Sequence, residues 1–385
     1  MERRFIYLDN AATTFPKPPS VLEKAVATYL AMGVSPGRGG YDMAVEAEEL
    51  VTQIRGKLAR FFGAPDPDRV IFAANATDGL NLVIQGCVSP GDHIVSTRLE
   101  HNSVLRPLHH LKQRGIIDYD LVPFDGRGFV HPVAVAEKIR TNTRAVVVSH
   151  VSNVLGTIQP IEEIGRVCGE RGVPLIVDAA QSAGVIPVKM TPWQVSAVAF
   201  TGHKSLMGPS GIGGLVLNRD FEVRTTRYGG TGIDSESPFH TQTYPHRLEA
   251  GTLNLLGIIG LSEGVDFVLA EGQDAIRARE IELVTRLRDG LSRLDGVKLY
   301  CAEDLTGHAG LLTVVVEGMN SQDVGTILDA DFGIAVRAGF HCAPLVHADL
   351  GFGKVGGVRF SPGPFTTRDD IDAAIDAMST IAGSH

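Results

Sequence analysis

The residues best able to do chemistry stand where apolar runs give way to polar loops. Lys204 lies in FTGHKSLMGPSGIGG, an apolar strand running into a glycine-rich loop, and Asp178 closes the apolar run VPLIVD upstream of it. As neighbouring strands, these runs present an amine and a carboxylate to one pocket. Taken singly, each has a plainer reading: a strand-end lysine can snorkel to solvent, and an aspartate there can cap a helix. Cys342 sits in AGFHCAPL, five residues after Arg337, in a segment that Gly339 and Pro344 mark as a loop. The thiolate is the nucleophile, and a free thiol of pKa about 8.5 is only slightly ionised at neutral pH, so His341 or Arg337 is expected to raise its reactive fraction. Cys87, Cys168 and Cys301 fall in apolar contexts and read as buried core thiols. Arg337 in VRAG and Arg359 in GGVRFS offer planar guanidinium groups, which grip a carboxylate through two parallel hydrogen bonds. Arg359, flanked by apolar residues, also suits a structural salt bridge. His341, Cys342 and His347 have no second ligand pair at zinc spacing, so no metal site is expected.

These residues need a scaffold that gathers strand ends. From about residue 69 to 218 apolar runs alternate with helical stretches: RVIFAAN, DHIVST, YDLVPF, RAVVVSH, VPLIVD, VSAVAFT and GGLVLN, separated by segments such as TDGLNLVIQGCV and PIEEIGRVCGERG. Strand followed by helix, repeated, predicts an α/β fold with a mainly parallel sheet covered on both faces. Ligands bind beyond the carboxyl ends of such strands. After about residue 255 the pattern changes to a long helical stretch near 258–294, then LLTVVVEG, a helix near SQDVGTILDA, GIAVRA, GGVRFS and a last helix, a smaller α+β region. Between the two, Tyr228 to Thr252 reads as a long polar loop, and long loops in compact enzymes often carry function.

Composition narrows the function classes. The 385 residues carry 35 Lys plus Arg against 44 Asp plus Glu, a net charge of −9 with no basic run, which argues against a nucleic-acid partner. No apolar stretch reaches the roughly 18–20 residues that span a bilayer, and Asp9 interrupts the first apolar residues too early for a signal peptide. A cytoplasmic protein without a membrane partner is expected. Four scattered cysteines without a C-x-x-C pair indicate no disulfide framework.

Eight stretches in order along the chain carry a resemblance: LDNAATT, the TDG opening a helix, LEHNS, SHVSNVLG, VDAAQS, TGHK, RLEAGTLN and VRAGFHCAPL. Together they resemble the class V group of fold type I pyridoxal-phosphate enzymes, and most closely its cysteine desulfurase and selenocysteine lyase family, SUF-type branch. The resemblance implies a large cofactor-binding domain over 19–255 and a small domain from 1–18 and 256–385. It implies that Lys204 holds pyridoxal 5'-phosphate covalently, that Asp178 faces its pyridine nitrogen, that Gln181 bonds its ring oxygen, and that His101 stacks on the ring. Lys204, Cys342 and His101 become the catalytic residues. Thr77 opens a helix whose free N–H groups and dipole favour a phosphate, and Thr201 and His203 reach the same group, whereas Asp78 reads as a helix cap.

Thr252, in the same resemblance, reaches the cofactor of the other subunit, which makes the protein a homodimer with composite sites. Ala11 and Ala12 line the substrate pocket, Asn153 lies between cofactor and substrate carboxylate, and Arg337 foremost, with Arg359, binds that carboxylate. The implied reaction converts L-cysteine to L-alanine and leaves a persulfide on Cys342 for a sulfur-acceptor protein. A selenocysteine lyase acting on L-selenocysteine shares every cofactor residue, and a class V aminotransferase would make Cys342 incidental. Two departures bear on the acceptor and the preferred chalcogen: Phe340 replaces the first of two family histidines, and the family's early H-R-G is here Gly37-Arg38-Gly39.

Overall fold

The computed structural model describes residues 5–37, 39–233 and 235–383, so Arg38 of the Gly37-Arg38-Gly39 segment lies outside the described residues. A short strand, β1 (Ile6–Tyr7), precedes two helices, Pro19–Met32 and Asp42–Phe62. Seven strands follow, mostly separated by helices: β2 (Val70–Ala73), β3 (Asp92–Thr97), β4 (Ile117–Val122), β5 (Thr143–Ser149), β6 (Leu175–Asp178), β7 (Ala197–Thr201) and β8 (Gly213–Leu217). They form one sheet in the order β2-β8-β7-β6-β5-β3-β4. The expected α/β architecture stands, and only β8 runs against its neighbours.

Burial explains why these runs are strands. Every residue of β6, β7 and β8 is buried, as expected where both faces are covered. Val146, Val148, Leu175, Val177, Val198 and Phe200 enter one apolar cluster, while Ala145, Val147, Ile176, Ala197 and Ala199 enter the other. Alternate residues therefore serve opposite helical layers, the two-residue period of a pleated strand. Ser149, Asp178 and Ala199 stand in register across β5, β6 and β7, so the polar residues that end these strands share one edge.

A second sheet, in the order β12-β13-β10-β9, contains β9 (Val297–Leu299), β10 (Leu312–Val316), β12 (Arg337–Gly339) and β13 (Gly357–Phe360), all antiparallel. Helices Gln273–Leu291 and Arg368–Ala382 bury Leu283, Leu287, Ile371 and Met378 against it. The helical stretch expected near 258–294 is two helices, Leu255–Glu271 and Gln273–Leu291, because Gly272 between them takes φ +83, a left-handed value open to glycine. Strand β1 pairs in parallel with β11 (Ile334–Ala335), which carries the start of the chain across to the second sheet. This crossing delivers Asp9 to Thr14 to the edge of the large sheet.

Candidate active site

The carboxyl ends of β5, β6 and β7 open on a cavity of about 350 Å³. Ala11, Ala12, Thr77, His101, Asn153, Asp178, Gln181, Thr201, His203, Lys204, Arg337, Cys342 and Arg359 all line it. Thr252 lies outside it and is exposed. One end of the cavity is the start of helix Ala76–Cys87, where Asn75, Ala76 and Thr77 face the space. Asn75 is the cap, accepting from Asp78 N at 3.0 Å, and Asp78 turns back to accept from Ala74 N and to pair with Arg227. Its carboxylate is thereby kept out of the cavity. Gly79 is fixed by packing, since a Cβ there would stand 2.9 Å from the Gly214 carbonyl oxygen.

Lys204 is half-buried on the cavity wall, and its amine falls to about 8, first through burial and then through the Arg359 charge. Asp178, Asp9 and Cys342 act the other way. About half of such amines are uncharged near pH 8. Asp178 is buried, with Oδ1 accepting from Ala180 N at 2.9 Å, and burial raises its carboxyl despite that bond and the Lys204 charge. His101 caps helix Asn102–Gln113, its Nδ1 accepting from Ser103 N at 3.0 Å. Burial, helped by Lys204 and Arg359, lowers its imidazole to about 4, so the ring is neutral at physiological pH. His203 is likewise lowered to about 4 by burial.

Gln181 Nε2 donates to the Ala11 carbonyl at 3.0 Å, and Asn153 Nδ2 donates to the His341 carbonyl at 2.6 Å. The two arginines differ. Arg359 is 3% exposed, pairs with Asp9 at 2.9 Å and donates to the Asn153 carbonyl at 2.9 Å, so the structural salt bridge read from its sequence context is present. Its Nε is buried without a hydrogen-bond partner among the described residues. Arg337 is exposed at the cavity rim and has no ion pair among the described residues.

Cys342 is the one exposed cysteine, whereas Cys87 and Cys168 are buried with thiols pushed up to about 12 and Cys301 to about 11. His341 and Cys342 both adopt left-handed φ, +50 and +55, a strained pair for non-glycine residues in the loop that carries the exposed thiol. The expected assistance from His341 is corrected. Its Nε2 bonds the Arg337 carbonyl, its Nδ1 lies 3.2 Å from His347 Nε2, and burial lowers it well below the usual histidine range. A neutral, doubly engaged ring offers the thiol no positive charge.

Residues 6–374 match the class-V aminotransferase family. The chain belongs to this family. A class-V relative from Methanothermobacter thermautotrophicus, named a probable cysteine desulfurase, is 34% identical over 387 residues, 99% of this chain and 96% of its own. Another so named, from Pyrococcus abyssi, is 34% identical over 393 residues, 100% of this chain and 96% of its own. The apo structure of a cysteine desulfurase from Thermococcus onnurineus NA1 superposes with a TM-score of 0.92 at 33% identity, over 99% of this chain and 95% of that one. The cysteine desulfurase CsdA of Escherichia coli, in an S-sulfonic acid form, gives 0.87 at 28% identity, over 98% and 94%. The large α/β sheet described above is therefore that of fold type I enzymes.

In this class-V site, sequence reasoning missed Ser103, which lines the cavity together with Asn75, Ser149 and His341. Ser103 lies 2.9 Å from His101 Nδ1 and also bonds the Asp178 carboxylate, which ties two expected residues together. The signal was available, since serine two residues beyond a cap commonly enters its network. Behind them Glu100 is fully buried, accepting from Thr97 Oγ1 at 2.7 Å and from Ser149 Oγ at 2.7 Å, and burial lifts it to about 7. Among the described residues no group of His, Cys, Asp or Glu is placed to hold a metal, and no helix is long and apolar enough to cross a membrane.

Proposed function

We propose that this class-V protein is a cysteine desulfurase that uses pyridoxal 5'-phosphate, converting L-cysteine to L-alanine and leaving a persulfide on Cys342. The observation that carries the reading is the placement of one exposed thiol in the same cavity as Lys204, Asp178 and Arg359. The residues suit the cofactor. Thr201 Oγ1 is buried there without a partner among the described residues, a hydroxyl that an added anion would satisfy, and the start of helix Ala76–Cys87 faces the same space. Asp178 offers a buried carboxylate for a protonated ring nitrogen. When bound, the cofactor withdraws electrons from the substrate Cα.

The chain supplies the remaining steps. Arg337, exposed and without an ion pair among the described residues, and Arg359 hold the α-carboxylate. Lys204 Nζ takes the Cα proton, which its lowered pKa permits near neutrality. Cys342 Sγ then attacks the substrate sulfur: the Cβ–S bond breaks, an S–S bond forms, and the carbon skeleton gains the proton that completes alanine. Sulfur is oxidised to the persulfide level as the substrate carbon is reduced, so no further oxidant is needed. An acceptor protein then removes the sulfur, and the cytoplasm is the expected compartment. We extend the proposal to the domain division, 19–255 against 1–18 with 256–385, and to a homodimer in which Thr252 reaches the other subunit's cofactor. Helix Pro19–Met32 supports the dimer, since Leu22, Val26 and Leu30 leave an apolar stripe exposed, Leu30 at 80%. Incubation with L-cysteine should release alanine and add one sulfur to the Cys342 peptide by mass spectrometry. Selenocysteine run in parallel separates the lyase reading, and a keto acid without alanine would overturn both in favour of an aminotransferase.

A further inference from the structure

We propose that a second, smaller cavity behind Ala11 and Gln181, closed by Glu280, binds a monovalent alkali cation. Helix Gln273–Leu291 carries Glu280 on the same buried face as Ile276, Leu283 and Leu287. The side chain is 7% exposed, and among the described residues nothing pairs with its carboxylate. Burial alone lifts it to about 8. A carboxylate withdrawn from water without a partner is costly, and proteins normally compensate it with a hydrogen-bonded cation or a metal.

The cavity is about 30 Å³, room for one or two particles the size of water. Oε2 of Glu280 sits against Gly310, where a Cβ would come within 2.7 Å of it, so the carboxylate occupies space that only a glycine leaves open. The other polar lining divides into spent and unspent groups. Asn10 is engaged with the Ser361 carbonyl and with Phe15 N, and Ser361 Oγ accepts from Ala11 N and donates to the Leu8 carbonyl. The hydroxyls of Thr14 and Ser205 line the same space and have no hydrogen bond among the described residues. One carboxylate and two hydroxyls, with water, make a hard-oxygen set of net charge −1.

That charge selects the ligand class. A single positive charge neutralises the set, whereas a divalent ion has no further acidic ligand to draw on. None of the nearby cations bonds the Glu280 carboxylate among the described residues: Arg277 donates through Nη2 to the His308 carbonyl while its Nε is buried without a partner there, Arg279 donates to the Thr366 carbonyl, and His308 Nε2 faces the Cys301 carbonyl. Position gives the site its consequence. Ser205 follows Lys204, Thr14 N donates to the His203 carbonyl, and Ala11 and Gln181 line both cavities. A bound ion would therefore tie the N-terminal loop, the lysine turn and the helix behind the reacting centre.

The test uses the purified protein with its cofactor, in tetramethylammonium buffer at constant ionic strength, titrated with potassium or sodium chloride. At pH 9, above the Glu280 value, saturating potassium or sodium should raise Tm by roughly 1–3 °C. At pH 6.5 a proton holds the carboxyl and the response should shrink several-fold. Glu280→Gln should abolish the cation response whatever its own Tm. If that variant does not fold, Thr14→Val should weaken the apparent cation affinity several-fold. Equal Tm in potassium, sodium and tetramethylammonium at pH 9, or a response that persists in Glu280→Gln, overturns the proposal. A Tm that moves with pH but not with the cation does so too, assigning the cavity to a stored proton.

Discussion

Replacing Lys204 by methionine should make the cofactor-free protein more stable at neutral pH, although it removes the central reactive group. The amine is lowered from 10.5 to about 8, chiefly by burial and then by Arg359. In the folded chain the charged form is therefore disfavoured by about 2.5 pK units, up to roughly 3 kcal/mol. The sign follows from proton counting. Between pH 8 and 10.5 the unfolded chain holds the lysine proton more tightly than the folded one, so wild-type stability climbs with pH across that window. Below pH 8 the cost is present in full. Methionine carries no charge and fills a similar volume, so Lys204→Met should gain up to roughly 3 kcal/mol at pH 7, and the gap should close towards pH 10.5. Lys17, also lowered to about 8 by burial, contributes equally to both proteins and cancels. Urea unfolding at pH 7, 8.5 and 10 reads the gap directly. A variant no more stable than wild type at pH 7, or a gap that does not narrow with pH, would refute the claim that the fold stores this cost on Lys204.

Cys342→Ala should abolish alanine formation from cysteine without changing Tm by more than a degree or two, because the side chain is exposed; alanine assay and calorimetry check both halves. Arg337→Ala should raise KM for cysteine by about 10–100-fold at unchanged stability, the loss of one charge-assisted contact, as steady-state kinetics would show. Asp9→Asn should cost about 3 kcal/mol in urea unfolding, since it strands Arg359, 3% exposed, without its counter-charge. Leu30→Glu, on the exposed stripe of helix Pro19–Met32, should shift sedimentation towards monomer and reduce activity in parallel, because Thr252 would then lose its partner site.

The large sheet was legible because its signal is local. Runs such as VPLIVD and VSAVAFT are apolar throughout, and their terminal polar residues fall at the ligand edge by the geometry of parallel sheets. Helices Pro19–Met32 and Asp42–Phe62 went unread, since the first buries only Val21 and Ala25 and leaves other apolar residues exposed, which blurs its period. Strand β8 was read as a strand without a direction, because direction depends on how the short connection from Lys204 to Gly213 turns back. Gly272 divides a stretch that is otherwise continuously helical in composition, and a single residue of that kind is weak evidence either way.

Within the site, residue types were easier to read than their partners. Arg359 could be named from GGVRFS, but its pairing with Asp9 spans most of the chain and exists because β1 crosses to β11. His341 shows the same difficulty more sharply. Adjacent in sequence to Cys342, it suggested a proton acceptor or a positive neighbour for the thiol, yet chain adjacency says little where the backbone turns through two left-handed residues. The turn sends His341 inward to the Arg337 carbonyl and His347 while Cys342 stays exposed. The charges that interact with Cys342 are instead those of Lys204 and Arg359, remote in sequence and gathered by the two sheets. The thiol and the amine therefore line one cavity, and under the proposed reading proton transfer at Lys204 and sulfur capture at Cys342 meet through a geometry that no single motif contains.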